Sequence, residues 1–108
     1  MTGLIQVFIT ASSREEGEKI VEALVKNRLA ACGQLVGPIQ STYWWQGRIE
    51  SSAEWLCLVK SQEDKFSEIV GLVKKLHSYQ VPEIIAMPLV AVSESYEQWM
   101  REELNRLP

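Results

Sequence analysis

The alternation of hydrophobic and polar residues predicts four strands and three helices along this chain. Residues 4–10 are apolar and rich in β-branched side chains, which favours a strand buried on both faces. Ser13 followed by Glu16 has the spacing of a capping box and predicts that a helix begins there. The apolar face of this helix contains Gly17, Ile20, Val21 and Leu24.

The middle of the chain predicts a hairpin with two unusually long arms. The outward arm covers residues 31–45 and bends at Gly37-Pro38, because proline cannot donate to a central ladder. Gln46-Gly47 marks the turn, and residues 48–60 form the return arm. Arms of this length extend about 40 to 50 Å at about 3.3 Å per residue, whereas a 100-residue domain has a radius of gyration of only about 13 Å. We therefore expect the hairpin tip to project beyond its own core.

The last part of the chain predicts a second helix, a final strand and a terminal helix. The second helix covers residues 62–77, and the final strand covers residues 83–92. Ser95 with Gln98 predicts the start of the terminal helix. Its apolar positions are Tyr96, Trp99, Met100 and Leu107. The order βαββαβ with a C-terminal helix is the ferredoxin-like α+β plan, in one domain over residues 1–108.

Three adjacent aromatic residues, Tyr43, Trp44 and Trp45, lie near the predicted hairpin tip. Adjacent side chains of a strand point to opposite faces, so one core can hardly bury both Trp44 and Trp45. Projecting two-stranded ribbons are marginally stable in water, and aromatic residues are common anchors of interfaces. We therefore expect a homo-oligomer in which the hairpins contact neighbouring subunits.

Composition and charge narrow the range of functions. The chain has 108 residues, of which 46% are hydrophobic and 23% are charged, as is typical of one globular domain. Its net charge is −3, so the chain lacks the excess positive charge that supports nucleic-acid binding. We see neither a membrane-length apolar stretch nor a secretory signal, so we expect a cytoplasmic protein with no membrane or nucleic-acid partner.

The candidate chemistry consists of one histidine and two cysteines. His77 extends the apolar stripe at the end of the second helix, where a histidine can cap free carbonyl groups. Imidazole is also the commonest metal ligand, but Cu(II) or Zn(II) needs three or four ligands. Cys32, Glu83 or a neighbouring subunit would have to supply the others. Cys57, like Cys32, lies in an apolar strand segment, where a cysteine can also be a small buried hydrophobic residue.

Enzymatic catalysis has little support in the sequence. We find no P-loop, no dinucleotide-binding glycine motif and no HExxH motif. Cys32 with His77 could form a thiolate pair in principle, but no third orienting group can be named. We expect no enzyme activity.

The hairpin RLAACGQLVGPIQSTYWWQGRIESSAEWLCLVKS is followed by the loop and strand LHSYQVPEIIAMPLV. Together these two stretches resemble the CutA family of divalent-cation tolerance proteins. The resemblance implies a ferredoxin-like fold, a tight homotrimer in which strands of neighbouring subunits join, a cytoplasmic location and the handling of copper and other divalent ions. Copper-binding members carry a cysteine late in the first strand and a histidine pair, where this chain has Ile9 and Leu76 before His77.

Three functions stay open under this resemblance. A metal-binding trimer would bind Cu(II) or Zn(II) weakly through His77 and Cys32, with no obligatory cofactor. A PII-like signalling trimer would bind a small ligand in an inter-subunit cleft lined by Lys60, Tyr79 and Glu83, which are polar groups at strand ends and in a loop. A structural trimer would anchor other proteins and bind no ligand. We also expect Glu83 to form a salt bridge with Lys60 or with an arginine.

Overall fold

A four-stranded antiparallel sheet with three helices forms the fold in the computed structural model, which describes residues 2–107. The strands are β1 (Leu4–Ala11), β2 (Cys32–Trp45), β3 (Arg48–Gln62) and β4 (Ile84–Pro88). The helices are α1 (Arg14–Lys26), α2 (Phe66–Leu76) and α3 (Glu94–Leu104), and a 3-10 turn over Glu63–Lys65 precedes α2. The strand order β2-β3-β1-β4 confirms the predicted ferredoxin-like α+β fold.

Helices α1 and α2 cover one face of the sheet and form the main core with it. Alternate residues of the central strands point into this layer, and Val7, Ile9 and Val59 have no exposed surface. On the second face, α3 covers only one end of the sheet, where Met100 packs against Leu4. The prediction that β1 is buried on both faces is therefore only partly right.

The hairpin formed by β2 and β3 has the predicted length and turn. Its pairing runs from Cys32 opposite Lys60 to Trp45 opposite Arg48, with a register shift at the predicted Gly37-Pro38 bend. Gln46 and Gly47 have φ values of 50° and 79°, as in the primed two-residue turns that match strand twist. The molecule measures 45 × 27 × 22 Å, because the hairpin tip projects from the core.

The final strand is shorter than the predicted range of residues 83–92. It spans Ile84–Pro88 and pairs with β1 up to Ile5 opposite Pro88. Proline has no backbone N–H, so it cannot donate to a continuing ladder. The chain then leaves the sheet towards α3.

The predicted cap of the terminal helix is wrong by two positions. Ser93 precedes α3 and makes no side-chain capping bond, whereas Ser95 lies inside the helix. The side chain of Gln98 donates to Glu102 within the helix instead of capping its start. Leu107 lies beyond the last helical residue and is 90% exposed, so it does not extend the apolar stripe.

None of the described helices is long and apolar enough to cross a membrane.

Candidate functional site

A groove of about 930 Å³ lies between the hairpin and the loop that leads into β4. The hairpin contributes residues 41–45 and Glu54, and the loop contributes residues 78–81 and Glu83. Thr10 of β1 also lines the groove. Small-molecule sites have volumes of roughly 300–1,000 Å³, so the groove is large enough for such a ligand.

Glu54 and Tyr79 join the two sides of the groove. Glu54 lies in β3 and is only 5% exposed, and the Tyr79 hydroxyl donates to its Oε2 at 2.8 Å. Burial raises the pKa of Tyr79 well above its usual value, and the hydrogen bond to Glu54 adds to this effect. Tyr79 is therefore a neutral donor at physiological pH. No basic side chain within residues 2–107 forms an ion pair with Glu54.

His77 fastens the loop to β1. It is the first residue after α2, and its backbone turns to an extended conformation there. The buried ring lies with Nε2 at 2.6 Å from the Thr10 carbonyl oxygen, and Nδ1 accepts the Tyr79 N–H at 3.0 Å. This arrangement requires the neutral tautomer with its proton on Nε2, because a carbonyl oxygen can only accept. The ring therefore binds a carbonyl of β1 instead of capping the carbonyls of its own helix.

Glu16 fastens the same loop to the start of α1. Its carboxylate accepts the N–H groups of Ser12 and Ser78, each at 2.9 Å. Ser13 caps the helix as predicted, since its hydroxyl accepts the Glu16 N–H at 3.1 Å. Burial raises the pKa of Glu16, but the hydrogen bonds from Ser12 and Ser78 outweigh it and hold the pKa below its usual value. The ionised form of Glu16 is therefore the one that fits this site.

The described residues of a single chain do not fit a metal centre. His77 uses both ring nitrogens for backbone groups, and a metal ion would have to displace one of them. The Cys32 Sγ lies 3.2 Å from the Tyr96 hydroxyl, away from His77. Cys32 is level with Gln6 of β1, because both pair with Lys60 of β3. Gln6 is four positions from Thr10, the partner of His77, which is about 13 Å along the strand. Within residues 2–107, no three His, Cys, Asp or Glu side chains lie close enough together to hold a metal ion.

Two of the three predicted cleft residues line this groove. Tyr79 and Glu83 do so, whereas Lys60 lies towards the other end of the sheet and donates to Gln34 at 3.2 Å. Glu83 makes no ion pair in the described part of the chain, so the predicted salt bridge from Glu83 to Lys60 or an arginine is not formed there. The aromatic residues predicted for the interface, Tyr43, Trp44 and Trp45, line the hairpin side of the groove.

Sequence reasoning missed two carboxylates that shape this site. Glu54 had a usable signal, because it is a single charged residue directly before the apolar stretch WLCLV, which predicts a strand buried on both faces. Glu16 was identified only as a helix cap, and its bond to the distant Ser78 has no signature in the local sequence.

The family of the chain is decided by comparison with known proteins. The family model for the CutA1 divalent ion tolerance protein matches residues 5–103. The chain belongs to this family. The CutA protein of Archaeoglobus fulgidus is 40% identical over 99 residues, covering 92% of this chain and 96% of its own length. The CutA protein of Thermus thermophilus is 43% identical over 96 residues, covering 89% and 93%.

Solved CutA structures share the fold. The Thermus thermophilus structure has a TM-score of 0.90 at 41% identity, covering 93% of this chain and 97% of its own. The structure described as the periplasmic CutA of Archaeoglobus fulgidus has a TM-score of 0.91 at 37% identity, covering 94% and 99%. The chain spans only about half the length of the curated plant and mammalian CutA relatives, for example 55% of the rice protein.

Proposed function

We propose that this protein acts in divalent-cation tolerance as a cytoplasmic homotrimer, without enzyme activity, and that its groove binds a small ligand. The observation that carries the proposal is the projecting hairpin, whose aromatic tip forms one wall of a large groove. Relatives of similar length are named divalent-cation tolerance proteins, which supports the cellular role. The groove is open in the single chain. In the proposed trimer a neighbouring subunit would border it, as in other ligand clefts between subunits.

Exposed apolar residues on the second sheet face support assembly. Val36, Ile85 and Met87 are 48%, 52% and 55% exposed. They lie on β2 and β4, which are the two edge strands of the sheet. Exposed apolar surface beside an unpaired strand edge favours association with another chain. The number three comes from the family resemblance.

Light scattering of the purified protein in dilute neutral buffer tests the assembly. A trimer gives about three times the chain mass of 12.3 kDa. A mass of 12.3 kDa would overturn the proposed trimer.

A thermal-shift screen against metal ions and small organic ions tests whether the groove binds a ligand, because a compound that binds only the folded state raises the melting temperature of the protein. A trimer that responds to none of them would instead be a structural or anchoring trimer.

Weak binding of Cu(II) or Zn(II) through His77 and Cys32 stays a prediction, and it has its own test. Calorimetric titration should show binding that is lost in His77→Ala while the trimer persists. His77→Ala also frees the loop, so Cys32→Ala is the matched variant that leaves the loop bonds in place. Undiminished binding in both variants would place the metal site elsewhere, for example on the groove carboxylates.

A further inference from the structure

We propose that the groove binds an organic cation, an alkylammonium or alkylguanidinium group, which pairs with Glu54 and lies against the aromatic face of the hairpin. The inference rests on the proposed ligand-binding function of the groove and names the chemical class of its ligand.

The charges around the groove favour a cation. Its lining includes the carboxylates of Glu54 and Glu83, and among the described residues no lysine, arginine or histidine lines it. Glu54 is only 5% exposed, yet in the described part of the chain its carboxylate accepts a side-chain hydrogen bond only from the Tyr79 hydroxyl. A buried carboxylate is costly unless it is paired and hydrogen-bonded. A cation in the groove would supply the missing charge.

Neither neighbouring basic residue of β3 can supply that charge within the subunit. Arg48 and Lys60 each lie six positions from Glu54 along the strand, which is about 20 Å. Arg48 stands at the hairpin tip opposite Trp45, and Lys60 is bonded to Gln34. A cation that pairs with Glu54 would therefore come from outside the chain, through the groove that Glu54 lines.

The hairpin also places aromatic rings on the same face as Glu54. Ile39 pairs with Glu54, and the alternating residues Tyr43 and Trp45 follow on that face of β2. Trp45 lies opposite Arg48 and is therefore too far along the strand to contact a small ligand at Glu54. The Tyr43 hydroxyl, in contrast, lies 3.0 Å from the Ser52 hydroxyl, only two positions from Glu54. Tyr43 is 40% exposed and lines the groove, so its ring is accessible to such a ligand. Aromatic faces attract ammonium and guanidinium groups through the negative potential of the ring face. Carboxylate and aromatic groups together thus match a cation that carries an alkyl chain.

An organic cation fits this lining better than a bare divalent ion. Divalent metal ions require several oxygen, nitrogen or sulfur ligands. Among the described residues, no three Asp, Glu, His or Cys side chains lie close enough together to supply them. Aromatic rings and the exposed apolar Val81 add nothing to metal coordination, whereas they pack well against an alkyl chain.

Calorimetry on the purified full chain with four short-chain probes tests the proposal. The probes are butylguanidinium, butylammonium, neutral butyramide and anionic butyrate. We expect the two cations to bind and butyrate not to bind. Glu54→Gln preserves the side-chain volume and an acceptor for Tyr79, and it should weaken cation binding about tenfold or more, because a charge-assisted bond is lost. Glu68→Gln removes the same charge from the exposed side of α2 and should leave binding unchanged.

Several outcomes would overturn the proposal, and they differ from failure of the assembly. Butyrate binding as tightly as butylammonium, or unchanged cation binding in a folded Glu54→Gln trimer, would exclude the cation site. A trimer that binds none of the cations, and whose mass falls in Glu54→Gln but not in Glu68→Gln, would mean that a basic side chain of a second copy pairs with Glu54. A monomer mass for the parent protein would reject the proposed assembly itself.

Discussion

The two halves of the β2–β3 hairpin have the same strand pairing but opposite surroundings. In the half nearest the core, Cys57, Val59 and Ser61 of β3 have no exposed surface. In the projecting half, Trp44 is 72% exposed and Ile49 is 64% exposed. The difference arises because α1 and α2 pack against the first half, whereas residues 43–49 belong to neither hydrophobic core cluster of the described chain.

This contrast separates stability from function within one structural element. Buried apolar side chains stabilise the core half through burial and close packing. The projecting half has a favourable turn but little buried apolar surface, and an isolated two-stranded ribbon is marginal in water. The projecting half lines the groove together with the loop, and Tyr79 of that loop donates to Glu54. The proposed ligand groove thus lies in the half that depends most on additional contacts.

The largest expected effect is on the free energy of unfolding, and it is seen by comparing one strand isoleucine from the core with one from the projecting half. Ile9→Ala should lower the free energy of unfolding by about 2–5 kcal/mol, because Ile9 has no exposed surface and its loss leaves a cavity. Ile49→Ala should cost less than about 1 kcal/mol within the subunit, since Ile49 is largely exposed. Urea unfolding measures both values. Equal losses would show that another copy of the chain buries Ile49 in solution.

The second prediction tests whether the projecting half is the interface. Trp45→Arg should weaken assembly by about 2 kcal/mol or more, as expected for an aromatic interface anchor. Trp99→Arg is the matched control, because Trp99 lies on α3 and contacts Tyr96 of the same helix. Light scattering across a dilution series measures the subunit dissociation. If the two variants dissociate at the same concentration, the hairpin is not the main interface element.

A third prediction concerns the loop that closes the groove and its dependence on pH. The pKa of Glu16 is lower in the folded protein than its ordinary value of 4.5, so its ionised form stabilises the fold above that value. This contribution should disappear as the pH falls through the folded pKa. Glu16→Gln should therefore lose about 1 kcal/mol at neutral pH and show a weaker loss of stability below pH 4.5. Parallel pH profiles of melting temperature for parent and variant would contradict the role of Glu16.

The smallest expected effect is a difference in thiol reactivity between the two halves of the hairpin, which leaves the fold intact. Burial, with a smaller effect from Glu16, raises the pKa of Cys57 to about 11, so its thiol should resist alkylation in the folded protein. Ser51→Cys places a thiol on the exposed projecting half for comparison. Mass spectrometry after brief iodoacetamide treatment should find residue 51 modified and Cys57 unmodified. Rapid modification of Cys57 would indicate that the core half opens readily.

The elements and their order could be predicted because their signals are local. The start of α1 depends on Ser13 and Glu16, which are three residues apart, and the hairpin turn depends on the adjacent Gln46 and Gly47. Caps, turns and apolar periodicity act between neighbours in sequence. The terminal helix shows the limit of such signals, because Ser95 and Gln98 have the spacing of a cap but the helix already begins at Glu94.

The role of each polar residue depended on partners that only the tertiary structure brings together. His77 binds the carbonyl of Thr10, 67 positions away, and Ser78 binds Glu16, 62 positions away. The loop of the family motif therefore predicted two residues that line the groove, Tyr79 and Glu83, but not that both nitrogens of His77 would be occupied. Residue type alone states which groups can donate or accept, whereas burial and the register of the sheet determine which partners satisfy them.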